Sequence, residues 1–120
     1  MKFLWVTLRV KDLEESLKFY QDMLGLEVDS RFQAGPASEI AFLCKGQTKL
    51  ELLCDKNEKV DTGQGGVTIG FEVSALEEAM ELVKSKGYEI LGQPVVINEN
   101  LRFFFVKDPD GYTVQLVENK

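Results

Sequence analysis

Hydrophobic and polar positions alternate at the start of the chain. Leu4, Val6, Leu8 and Val10 share one face of an extended segment, and Phe3, Trp5, Thr7 and Arg9 share the other. The period then changes. Leu13, Leu17, Tyr20, Met23 and Leu24 recur at helical spacing, with Asp12 placed to cap the helix and Gly25 to stop it. The same succession appears again when Val67, Ile69, Phe71 and Val73 alternate and Leu76, Met80 and Val83 follow at helical spacing. Ser74 is the expected cap of this second helix, and Gly87 its stop. Three further strands complete each half, over 27–33, 39–45 and 48–54, then over 88–97, 101–107 and 112–118.

This recurrence is an internal repeat. "LRVKDLEESL" from Leu8 aligns with "FEVSALEEAM" from Phe71, 63 residues on, and "KLELL" from Lys49 aligns with "TVQLV" from Thr113, 64 residues on. Two half-length copies within 120 residues predict one domain made of two like modules, at about 1–55 and 66–120. The linker falls at 56–65, where "TGQGG" at 62–66 is the obvious flexible stretch.

Alternation also assigns faces. If Leu4, Val6, Leu8 and Val10 pack beneath the helix, then Trp5, Thr7 and Arg9 point the other way, as do Thr68, Gly70 and Glu72 in the second copy. A two-residue turn at Gly46–Gln47 sets Phe42 opposite Glu51, and a four-residue turn at "DPDG" sets Phe104 opposite Gln115. Glu51 lies among Leu50, Leu52 and Leu53, and Gln115 among Val114, Leu116 and Val117, so both read as buried polar groups in need of partners. A polar residue at the matching position of both copies points to a shared, lined cleft.

Composition narrows the partners. Fourteen basic against twenty acidic residues give a net charge of −6, which repels phosphate backbones and anionic lipid surfaces, so neither nucleic acid nor membrane is an expected partner. No apolar run approaches a membrane span and no secretory leader is apparent, so the chain reads as cytoplasmic. Cys44 and Cys54 fit neither a zinc knuckle nor a CxxC motif and read as free thiols.

The segments "VTLRVKDLEESLKFYQDMLGLEV", "LELL", "FEVSALEEAMELVKSKGYEI" and "FFFVKDPDGYTVQLVE" together resemble the vicinal oxygen chelate superfamily of glyoxalase I, bleomycin-resistance proteins and extradiol dioxygenases. The resemblance spans essentially the whole chain. It implies an α+β fold of two βαβββ modules whose eight strands form an incompletely closed, barrel-like sheet around a cavity, with helices outside. It also implies a homodimer. In metal-dependent members the first and last strands of each module supply the ligands, which puts the ligand positions here at Trp5, Glu51, Thr68 and Gln115. The repeat offsets reproduce this register.

Of these four, only Glu51 is a good ligand. The chain has no histidine, and an indole has no ring lone pair to donate to a metal. The expectation is therefore a degenerate metal site, with no metal and no other cofactor. The leading functional reading is binding of a small organic molecule, a cationic one being favoured by the acidic charge. Trp5, Phe42 and Phe104 would offer aromatic walls, and Thr7, Arg9, Glu51, Thr68, Arg102 and Gln115 polar contacts. Whether the protein is an enzyme stays open at this point. A second reading is a glyoxalase-like lyase or epimerase with Glu51 as general base, in which Arg9, Arg102, Gln115 or Thr68 would replace the metal's charge. A third is a non-catalytic interaction module.

Overall fold

A computed structural model describes residues 1–61 and 65–120; positions 62–64 of the expected linker lie outside the described residues. The chain divides into two units, Met1–Asp61 and Thr62–Lys120. Each unit is a βαβββ module with its own four-stranded sheet, so the eight strands form two sheets.

In the first unit, strand β1 (Trp5–Arg9) is followed by helix α1 (Leu13–Leu17), and then by β2 (Val28–Ala34), β3 (Ser38–Leu43) and β4 (Lys49–Asp55). The strand order is β1-β4-β3-β2, with β1 and β4 parallel and the rest antiparallel. A parallel pair needs a crossover, and α1 begins it. Asp12 starts the helix as its spacing predicts, accepting bonds from the Glu14 and Glu15 amides at 2.9 and 3.2 Å. The helix continues as a π-helical segment over Lys18–Met23, in which the Leu24 amide reaches back five residues to the Phe19 carbonyl at 3.0 Å. This widened turn sets Phe19 and Tyr20 side by side in the core, both fully buried. Gly25 ends it with a φ of 76°.

The second unit repeats the plan. Strand β5 (Thr68–Glu72) precedes helix α2 (Leu76–Ser85), and β6 (Ile90–Asn98), β7 (Leu101–Lys107) and β8 (Thr113–Asn119) follow in the sheet order β5-β8-β7-β6. Here the expected Ser74 cap is replaced. Ala75 occupies the cap position with no side-chain bond, and the Leu76 amide donates instead to Glu118 of β8 at 2.9 Å. A carboxylate from a strand 42 residues on does the work of a local hydroxyl.

Each sheet packs its helix on one face. Beneath α1 lie Leu8, Val10, Ala41, Leu43, Leu50 and Leu52; beneath α2 lie Phe104, Val106, Val114 and Leu116. Leu4 and Val67 belong by alternation to these inward sets, yet both precede the strands and are 60% and 66% exposed. The inward faces thus begin at Val6 and Ile69. Cys44 and Cys54 are free thiols, and no described helix is long and apolar enough to cross a membrane.

Candidate functional site

The face of the first sheet turned away from α1 carries the residues singled out by alternation. Parallel pairing sets Trp5 beside Lys49 and Thr7 beside Glu51, and the hairpin sets Phe42 opposite Glu51. Direct neighbours in a ladder project to the same side, so Trp5, Thr7, Phe42, Lys49 and Glu51 form one cluster. Within it the Trp5 and Phe42 rings meet edge to face at 5.3 Å, and Phe32 of β2 stacks on Phe42 at 6.1 Å. Trp5 remains 47% exposed, so a broad indole surface is still open.

Glu51 is half-buried rather than enclosed, because the leucines beside it in sequence point to the opposite face. The Thr7 hydroxyl donates to its Oε1 at 2.5 Å, which fixes the carboxylate and leaves Oε2 as the freer acceptor. Lys49 places its Nζ over the Phe42 ring at 5.9 Å and bonds Asp29 at 2.6 Å. That contact holds the Asp29 carboxyl below its usual range. Arg9 lies farther along β1 and is paired with Glu58 at 2.7 Å.

The matching face of the second sheet holds Thr68, Gly70 and Gln115, with Gly70 beside Gln115 as Thr7 is beside Glu51. The Gln115 Oε1 lies 3.4 Å from where a Cβ on Gly70 would stand, so the small residue leaves room for the amide. Opposite Gln115 stands Phe105, not Phe104. Phe104 pairs with Leu116 and is fully buried under α2, which removes it from the open face. The reason is the turn. Asp108 pairs back to Tyr112, and its Oδ1 accepts the Asp110 and Tyr112 amides at 2.9 Å. Gly111 takes a φ of 92°, and the ladder shifts by one residue from a four-residue loop.

The same parity moves Arg102. It shares the helix side of β7 with Phe104 and binds Glu77 of α2 at 2.8 Å and Glu118 of β8 at 2.9 Å. These two carboxylates push its guanidinium's pKa up, while the Leu76 amide and Arg102 hold Glu118 down. Arg102 therefore secures the start of α2 and does not face Gln115.

Lys49, Phe32 and Phe105 are the residues that sequence reading missed. Lys49 was identifiable from its pairing with Trp5 once the parallel partner of β1 was known. The other two needed the sheet order and the register.

Among the described residues no three His, Cys, Asp or Glu side chains gather as a metal centre would require. The four equivalent positions offer an indole, a carboxylate, a hydroxyl and an amide.

A profile of the Glyoxalase/Bleomycin resistance protein/Dioxygenase superfamily matches residues 2–116. The chain is 33% identical over 130 residues to a lactoylglutathione lyase of Haemophilus influenzae, covering 100% of this chain and 94% of that protein. It is 34% identical over 128 residues to one from Neisseria meningitidis serogroup A, covering 100% and 92%. Among solved structures, glyoxalase I of Leishmania major matches with a TM-score of 0.81 at 27% identity, over 98% of this chain and 86% of that one. A glyoxalase family protein of Bacillus cereus matches with a TM-score of 0.87 at 18% identity, over 99% and 94%, a likeness of fold alone.

Proposed function

The chain belongs to the glyoxalase/bleomycin resistance protein/dioxygenase superfamily, and from that membership we propose a binding protein with a degenerate metal site, whose first module holds a small planar organic ligand on Trp5 and Phe42 beside Glu51. The observation that carries this reading is the cluster itself. An indole and a phenyl ring meet edge to face next to a carboxylate fixed by Thr7, on the face of the first sheet turned away from α1. Aromatic walls with one charged acceptor suit a planar cation, which gains from the ring faces and from the carboxylate together.

The donor set does not fit a catalytic divalent ion. Such ions need about three imidazole, carboxylate or thiolate donors plus an open position. Trp5 gives none, Thr68 offers a neutral hydroxyl, and Gln115 offers a neutral amide, so Glu51 alone remains.

The second reading is retained because relatives at 33% and 34% identity carry the name lactoylglutathione lyase. In it Glu51, anchored at Oε1, would abstract a proton through Oε2. It is the weaker reading because the two arginines that could stand in for the metal's charge are engaged elsewhere: Arg102 with Glu77 and Glu118, and Arg9 with Glu58.

Three measurements separate the readings. After dialysis from zinc, nickel or manganese, elemental analysis should find less than one ion per chain. Basic aromatic compounds, screened by Trp5 emission and confirmed by calorimetry, should bind. Trp5→Phe should then weaken them by a loss of ~0.5–2 kcal/mol, and Glu51→Gln should weaken cations more than neutral analogues of the same shape. One firmly held ion per chain together with lactoylglutathione lyase activity would overturn the binding reading in favour of the enzyme.

A further inference from the structure

Where the N-terminal segment passes the turn between β3 and β4, the first module has a pocket of about 550 Å³. Its apolar wall is Phe3, Leu4 and Trp5; its polar side is the turn residues Gln47 and Thr48 with Lys49, and Lys2 closes the rim. The two sides are tied together. The Thr48 hydroxyl donates to the Phe3 carbonyl at 2.8 Å and the Lys49 amide donates to the Leu4 carbonyl at 2.9 Å, so the pocket is formed before any ligand arrives.

Its charge runs against that of the whole molecule. The chain carries a net charge of −6, yet the lining holds two lysines and no Asp or Glu. Asp29 takes one of the three donors of Lys49, leaving two, and among the described residues Lys2 has no salt-bridge partner. Lys45, next to the turn, adds its field at Asp29.

The geometry points to a second binding site, distinct from the Glu51 cluster, that takes a small amphipathic anion: an aromatic body against Phe3, Leu4 and Trp5 and a carboxylate between Lys2 and Lys49. The pocket volume lies within the range of small-molecule sites. Trp5 and Lys49 border both sites. Glu51 stands two residues along β4 on the same face as Lys49, so the cation and anion sites adjoin along one aromatic strip.

The test compares 2-naphthoate with its neutral isostere 2-naphthamide by calorimetry, with amide shifts followed by NMR on the full chain. The expected result is that naphthoate binds at least about fivefold more tightly than the amide, weakens as salt rises, and shifts the resonances of residues 2–5 and 46–49. Lys2→Gln and Lys49→Gln should each weaken naphthoate about threefold or more, and Glu51→Gln should not weaken it. Because Lys49→Gln also releases Asp29, the exposed Lys2→Gln substitution provides the independent check, with retained amide dispersion showing the fold intact. Equal affinity for acid and amide, indifference to both lysine variants, or shifts confined to other residues would overturn the proposal. Loss of naphthoate binding on Glu51→Gln would do the same, by merging the two sites. Failure of the cation screen with naphthoate behaving as expected would overturn the Glu51 reading and leave this one standing.

Discussion

Glu118 is the residue whose role departs furthest from its place in the sequence. It is an acidic side chain near the end of the last strand, yet it is only 6% exposed, bonded to the Leu76 amide and gripped by Arg102. Its carboxyl pKa is lowered in the folded chain, first by the Leu76 amide and then by Arg102. A depressed carboxylate stabilises the fold above the unfolded-state value of about 4.3, and that contribution fades as pH falls through the lower folded value. Thermal unfolding followed from pH 7 downward should therefore show a midpoint that drops on acidification below about pH 4–5. Glu118→Gln should lower the midpoint at pH 7 and flatten the acid limb. Parallel acid limbs in the two proteins would mean that this carboxylate does not couple to folding. The Tyr20 ring, by contrast, behaves as its helical spacing implies and fills the core.

At the scale of elements, the two helices begin by different means although their sequences repeat. Helix α1 is capped from within by Asp12, and α2 is capped from outside by Glu118. Asp12→Ala should cost ~0.5–2 kcal/mol in chemical denaturation, whereas Ser74→Ala should stay within about 0.5 kcal/mol of the parent. A Ser74 effect as large as that of Asp12 would contradict the observed cap. The strands differ in the same way. The tight turn at Gly46 and Gln47 gave a register that alternation could place, and Phe42 does face Glu51. The turn after β7 was longer by one paired residue, and that single step carried Phe104 and Arg102 to the helix side and Phe105 to the open side.

For the whole molecule, each unit has its own core and its own sheet, and each sheet packs its own helix on one face. Deleting part of one core, as in Leu52→Ala at a fully buried position, should cost ~2–5 kcal/mol. Phe3, Leu4, Trp5, Val67, Val96 and Ile97 are exposed apolar side chains, and strands β1, β2, β5 and β6 are the edges of their sheets. We expect a homodimer at micromolar concentration, measured by sedimentation. A monomer throughout that range would show that these surfaces are tolerated in water or serve the ligand sites alone.

The sequence by itself determined the repeat, the two βαβββ modules, the helix starts and stops at Asp12, Gly25 and Gly87, and the meeting of Trp5, Thr7, Phe42 and Glu51 on one face. These follow from local periodicity and from short turns, where neighbours in the chain are neighbours in space. Only the tertiary structure decided which face Phe104 and Arg102 occupy, that Glu118 caps a helix 42 residues before it, and that Lys2 and Lys49 line the same pocket. Each of these depends on the register or pairing of segments far apart in sequence. A ladder shifted by one residue exchanges every side chain between faces, and nothing in the local pattern marks the shift.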